Sequence, residues 1–291
     1  MLPSALQCRF PWLLRLWWAA LPFTAGPSLA AGLRGWDDAP RTLASVALWV
    51  GWAVGLGATL VPHPIGLTTL RVLAPAALVA TVVSAAASHL AALAIAWTAV
   101  MTSLVLAPDT GMYCVNGPAY PNERRYPLRP PGPLLLGPLV LAWAVAVGAP
   151  TATALLLAAE RWAVGAAVGT VGLPAAALMA RSLHGLSRRW LVFVPAGLVL
   201  HDPLSVTDPV LFRRQVIEAL RPAPLGTDSL DLSHGAPGLA LELVLREKVP
   251  MVVVHPGRRG DQAGASARLL FTPTRPGLVL GEALARRLPV G

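Results

Sequence analysis

One stretch of the 291-residue chain gathers side chains able to hold a ligand. Between Pro108 and Pro133 lie all three tyrosines, Tyr113, Tyr120 and Tyr126, with Cys114, Asn116, Asn122, Glu123, Arg124, Arg125 and Arg129. Tyr and Asn offer neutral donors and acceptors, and adjacent arginines offer the planar fork that grips carboxylate or phosphate. The expectation is a structured loop over residues 108–133. It would bind an anionic ligand through Arg124 and Arg125, or dock on another part of the chain, with Tyr113, Asn116, Tyr120, Asn122 and Glu123 as further contacts. The plainer alternative is tyrosines anchored at a membrane interface beside topogenic arginines, with Glu123 paired to an Arg.

Other chemistry-bearing residues are sparse. His63 and His89 stand at the ends of charge-free stretches, where interfacial water can reach them. Asp37-Asp38 sits between Arg34 and Arg41, a local ion-pairing arrangement. His201-Asp202 reads as the end of a strand, and no serine or cysteine is placed by sequence to complete a triad with it. Arg258 and Arg259, in the Gly-rich stretch Gly257 to Gly264, offer a phosphate contact, with a solvated loop as the plainer reading. Cys8 and Cys114 fit no disulfide framework or metal spacing, and no hydrophobic region precedes Leu6-Gln7-Cys8, so a lipoprotein signal is not expected. No Walker loop, G-x-G-x-x-G, C-x-x-C, H-E-x-x-H or G-x-S-x-G is found. No catalytic residue, metal site or cofactor is therefore expected.

The elements that carry these residues follow from charge. Charged residues make up 13% of the chain and hydrophobic ones 55%, against roughly 25% charged in soluble domains. The first 180 residues hold nine Arg, no Lys and five acids, whereas the last 111 hold thirteen Arg, one Lys and nine acids. The main boundary therefore falls near Arg181, between a helical bundle over 1–180 and a β-rich domain over 189–291. The net charge of +9 is spread without a long basic run, so no nucleic-acid partner is expected. The preference for Arg over Lys in a chain rich in Ala, Gly and Pro resembles the usage of high-GC bacteria.

A bilayer core needs about 20 apolar residues per helix. Six spans fit: Leu16 to Leu33, Leu43 to Val61, Thr69 to Ala85, Leu90 to Ala107, Leu134 to Ala158 and Trp162 to Ala180. With the N-terminus inside, inner segments hold Arg9, Arg15, Arg71, Arg124, Arg125, Arg129, Arg181, Arg188 and Arg189, and outer ones hold Arg34, Arg41 and Arg161. The positive-inside rule then puts both termini in the cytoplasm of a plasma-membrane protein. Nine of the ten Trp precede Arg181, as interfacial anchors would.

Beyond Arg189 short strands alternate with turns. Trp190 to Val194 and Leu198 to His201 flank Pro195-Ala196-Gly197 as a hairpin. Leu239, Leu241, Leu243 and Leu245 alternate with Ala240, Glu242, Val244 and Arg246, the period of a half-buried strand. Val210 to Phe212, Leu230 to Ser233, Met251 to Val254 and Ala267 to Phe271 complete seven strands, and Leu280, Ala283, Leu284 and Leu288 give a closing amphipathic helix. In this element order, Arg189 to Leu288 resembles the pleckstrin-homology-like barrel attached to bacterial membrane helices; another small β-sandwich or an α+β domain remains open. The resemblance implies a docking module. It also implies a lipid-headgroup site in the first hairpin loop, but Pro195-Ala196-Gly197 carries no cation.

The function expected is an integral membrane protein whose cytoplasmic domain docks a protein partner or a membrane face, or regulates the bundle. The alternative is a small-molecule permease or channel with a regulatory domain. A membrane enzyme acting on a lipid-linked substrate through the tyrosine-bearing loop is a third reading.

Overall fold

The computed structural model describes residues 5–254 and 262–291. Its chain divides into two compact units. One comprises Met1–Gly117 with Val140–His184, and the other Pro118–Leu139 with Gly185–Gly291. The second unit thus contains residues on both sides of the last two long helices.

The helical unit begins with α1 (Ala5–Ala19), α2 (Leu21–Thr24) and α3 (Gly26–Gly32), followed by α4 (Asp38–Leu60), α5 (Pro64–Val83), α6 (Ala91–Leu106) and α7 (Pro108–Asn116). After α8 (Gly132–Leu135), in the second unit, come α9 (Pro138–Ala158) and α10 (Trp162–Leu186). Among the described residues four helices, α4, α5, α9 and α10, are long and apolar enough to cross a membrane, and α6 with α7, bent by 55°, makes a fifth if taken as one span. The expected sixth span at Leu16 to Leu33 is instead broken twice. Pro22 and Pro27 lack the N–H groups that the Trp18 and Phe23 carbonyls need four residues earlier, so the helix stops at Ala19 and again at Thr24.

The break is put to use. The freed Trp18 carbonyl accepts the Trp52 indole N–H at 3.2 Å, while the Trp18 indole donates to the Trp52 carbonyl at 2.9 Å. Next to it, Trp17 and Trp97 exchange the same pair of bonds at 3.1 and 3.0 Å and stack with ring centroids 4.1 Å apart. A Cβ added at Gly55 would stand 1.9 Å from the Trp18 ring, so only glycine admits that indole. These four tryptophans join α1 to α4 and α6, with Trp18 buried and Trp17, Trp52 and Trp97 half-buried against the core. Around them Leu14, Leu21, Ala25, Leu70, Ala74, Ala94, Met101 and Val105 form an apolar core.

The turn from α9 to α10 closes with Glu160 in the left-handed region at φ 57°. Arg161 N–H donates to the Leu156 carbonyl and Glu160 N–H to that of Leu157, the paired bonds of a Schellman end. The hairpin then packs through small residues: Cβ atoms at Gly165, Gly169 and Gly172 would meet Leu157, Thr153 and Ala149 at 2.8, 2.9 and 2.9 Å. Close backbone approach of this kind holds helices together where lipid removes the hydrophobic drive. Gly169→Leu is expected to cost about 1–3 kcal/mol by overpacking, whereas Gly148→Leu, with nothing within 4 Å of its Cβ, should cost little. Thermal unfolding of the detergent-solubilised chain checks this; equal melting of the two variants would remove the packing argument.

The second unit holds two open four-stranded sheets. The first is ordered β1 (Arg124–Pro127), β2 (Trp190–Val194), β3 (Gly197–His201) and β4 (Val210–Arg213), all antiparallel. The second is ordered β5 (Ile217–Pro222), β7 (Leu241–Val253), β8 (Gln262–Phe271) and β6 (Leu230–Asp231), with β6 parallel to β8. The hairpin about Pro195-Ala196-Gly197 forms as expected. Gly197, at φ +150°, lets the turn touch β4, since a Cβ there would lie 2.0 Å from the Phe212 carbonyl oxygen. The expected strands at Leu239 to Arg246 and Met251 to Val254 merge into β7 across an irregularity between Val244 and Val249. β1 and β5 are additions. A closed barrel is not formed, because pairing stops at the edge strands β4 and β5 and the ladder does not continue between them. The closing helix is α11 (Pro276–Ala285). Arg258 and Arg259 lie outside the described residues.

Candidate functional site

The seven residues expected to form one site are divided between the units. Tyr113 and Asn116 belong to α7 of the helical unit, whereas Tyr120, Asn122, Glu123, Arg124 and Arg125 belong to the sheet unit. The division falls at Gly117, where a Cβ would stand 1.9 Å from the Pro62 carbonyl oxygen. That close approach holds the end of α7 against the turn between α4 and α5.

In the helical unit the Tyr113 hydroxyl accepts from Arg15 Nη2 at 2.8 Å and donates to the Thr59 carbonyl at 3.2 Å. Arg15 Nε reaches the same carbonyl at 3.3 Å, and its guanidinium lies over the Trp12 ring. Asn116 Nδ2 donates back to the Met112 carbonyl. Arg15 and Arg71, expected in inner segments, are both within helices, α1 and α5.

In the sheet unit the loop is an integral strand. Arg124 to Pro127 pair in register with Phe193 to Trp190. Arg125 bonds Glu123 at 3.1 Å and lies over the Trp190 ring at 5.7 Å, so the carboxylate is paired within the loop. Arg286, which follows the last residue of α11, joins the segment to the domain: its Nε bonds Glu282 at 2.7 Å and its Nη1 the Asn122 carbonyl at 3.0 Å. Tyr126, packed edge-on against Phe193, donates to Glu282. Burial, with the adjacent Glu282 charge, raises the Tyr126 hydroxyl above its ordinary range, so it remains a donor. Arg124 and Tyr120 are exposed.

A more deeply buried polar group lies at the base of the β2–β3 hairpin. Arg189 grips Asp202 with two bonds of 2.7 Å, from Nε to Oδ1 and from Nη2 to Oδ2, and gives Nη1 to the Arg129 carbonyl at 2.8 Å. Ser205 Oγ donates to Asp202 Oδ2 at 2.6 Å and meets His234 Nε2 at 2.9 Å. Burial and the Arg189 charge lower the His234 imidazole below its ordinary value. Serine, histidine and aspartate are therefore together, but the roles differ from a nucleophilic triad. There the carboxylate orients the histidine and the histidine takes the serine proton; here the serine is bonded to the carboxylate directly, and Ser205 is fully buried. The arrangement fixes a corner of the fold. Sequence reading missed it because Arg188-Arg189 passed as topogenic charge and Asp202 as a turn. The signal was present: a hairpin pairing Trp190 with His201 sets the next positions, 189 and 202, opposite each other.

A third polar group surrounds Glu242, whose carboxylate is fully buried in β7. It accepts from Arg221 at 2.8 Å, Thr227 at 2.5 Å and Ser229 at 2.6 Å. Burial alone would raise this carboxyl, but the three donors outweigh it and hold it at about 2. A carboxyl lower in the folded than in the unfolded state stabilises at pH above its unfolded value near 4.5, and that contribution fades as the pH falls toward 2. Acid unfolding of wild type against Glu242→Gln is expected to show this component missing from the variant. Parallel pH profiles would contradict it.

Among the described residues no group of three or more His, Cys, Asp or Glu is placed to hold a metal ion. No family model matches the chain, and neither does any curated protein or solved structure.

Proposed function

We propose that the chain is a multi-pass protein of the plasma membrane whose sheet unit is a cytoplasmic docking or regulatory module for a protein partner. The observation that supports this reading is β1. Between α7 and α9 the chain leaves the helical unit, supplies Arg124–Pro127 as a strand beside β2, and returns. The sheet unit is thereby connected to the helices through three junctions, at Gly117, Leu139 and His184.

The rival, a permease or channel, calls for polar groups lining a path between helices. Apart from Arg71 of α5 and the bonded Thr81–Thr98 hydroxyl pair, the packed centre consists of Leu14, Trp18, Leu70, Ala74, Met101 and similar side chains, which favours the docking reading. Topology is tested with reporter fusions at Gly291 and after Pro40, expected on opposite sides of the membrane with Gly291 inside. Docking is tested by photo-crosslinking in native membranes from Leu225 and Leu239, both exposed. Discrete protein adducts from these positions are expected, and none from lipid-facing Val171; adducts to lipid alone at all three would defeat the proposal.

A further inference from the structure

Arg71 stands in the third turn of α5, one of the four long apolar helices. At 1.5 Å per residue it is about 10 Å along from Pro64. Leu67, Leu70 and Ala74 of the same helix are fully buried. The Arg71 Nε is buried without a hydrogen-bond partner, and among the described residues no carboxylate pairs with this guanidinium. Its electrostatic neighbour is the buried Cys114 of α7. One residue earlier, Tyr113 receives Arg15. Gly117 against Pro62 fixes that helix in place.

A cation in an apolar span without a counter-charge is costly, and such residues mark ligand or ion sites. The guanidinium fork matches the oxygens of a phosphate or carboxylate, and a long side chain a few turns inside a helix can extend toward the phosphate level of the bilayer. We infer that Arg71, with its unpartnered Nε buried in α5 and Cys114 of α7 as its neighbour, is a binding site for a phosphate oxyanion, carried either by an anionic phospholipid or by a soluble phosphate.

The test uses the full chain, delipidated in neutral detergent, with three probes: phosphatidylglycerol, phosphatidylcholine and inorganic phosphate. Native mass spectrometry reads retained adducts and a thermal shift reads stabilisation. Phosphatidylglycerol is expected to bind and raise the melting temperature, phosphatidylcholine to do so at least tenfold more weakly, and Arg71→Met to lose the effect tenfold or more. Arg41→Met, which removes an exposed cation paired with Asp38, should bind as wild type does. A response to inorganic phosphate equal to that with phosphatidylglycerol would identify the soluble source. Without ligand, Arg71→Met should melt no lower than wild type, since it removes an uncompensated charge. Should Arg71→Met fail to fold, Arg71→Lys retains the charge and loses the fork, and weaker binding by it is the expected result. Unchanged binding in the folded Arg71→Met, or in Arg71→Lys where that variant is used, overturns the inference.

Discussion

Residues 185–291 expressed alone are expected to be unfolded or loosely packed, and to regain a cooperative melt when residues 118–139 are joined to them through a flexible linker of about 20 residues replacing α9 and α10. Without 118–139, β2 becomes an edge strand although Trp190, Leu191, Val192 and Phe193 are all buried. Tyr126 and Leu128, 6% and 5% exposed, no longer cover the sheet, at about 1.5–3 kcal/mol for each large side chain. The Arg189 guanidinium loses the Arg129 carbonyl, and the Thr272 carbonyl loses the Arg129 amide at 2.8 Å. Each lost bond leaves a buried partner at about 1–3 kcal/mol. Together these approach the 5–15 kcal/mol that stabilises an ordinary domain. Circular dichroism with thermal melting reads the result directly. A cooperative transition for 185–291 at the temperature of the joined protein would show β1 to be an accessory.

The need for that segment was not legible in the sequence, and the reason is physical. Arg124-Arg125-Tyr126-Pro127 has neither alternation nor a run of β-branched residues, and it becomes a strand because β2 offers a partner edge, a tertiary effect that overrides local preference. Ile217 to Pro222 escaped for a similar cause, since Glu218, Ala219 and Leu220 carry helix-forming character. The long helices were legible because lipid imposes a length and disfavours charge: α4, α6, α9 and α10 each begin or end within a few residues of a charge-free run, whereas α5 carries Arg71 within it. Leu16 to Leu33 satisfied the same length rule and failed because hydropathy does not register the missing N–H of Pro22 and Pro27. The tyrosine-bearing loop was conspicuous by composition. Composition does not reveal that Gly117 pins one half to the α4–α5 turn while Arg125, Tyr126 and Arg286 build the other half into a sheet.

Replacing Asp202 by Ala is expected to destabilise the sheet unit by about 3–5 kcal/mol, the usual cost of leaving a buried charge without its partner. The Arg189 and Asp202 side chains are 1% and 0% exposed, so water cannot take over the lost bonds. Two donors are stranded at once, the Arg189 fork and the Leu204 amide at 3.1 Å, while the Ser205 hydroxyl retains the Leu232 carbonyl at 3.2 Å. The ion pair itself need not be a large net stabiliser, because desolvating both charges offsets much of their attraction. Arg189→Met with Asp202→Leu should therefore recover most of the loss, although the Leu204 amide keeps recovery incomplete. Asp38→Ala supplies the contrast. Its pair with Arg41 is exposed, the two side chains being 92% and 47% accessible, and pairs in that setting contribute about 0–1 kcal/mol. Thermal unfolding of the full chain in detergent, followed by circular dichroism, should rank the variants in that order. If Asp202→Ala melted with Asp38→Ala, the Arg189 charge would have found another partner, and the hairpin base could not be the fixed corner that brings β1, β2 and the His234 loop together.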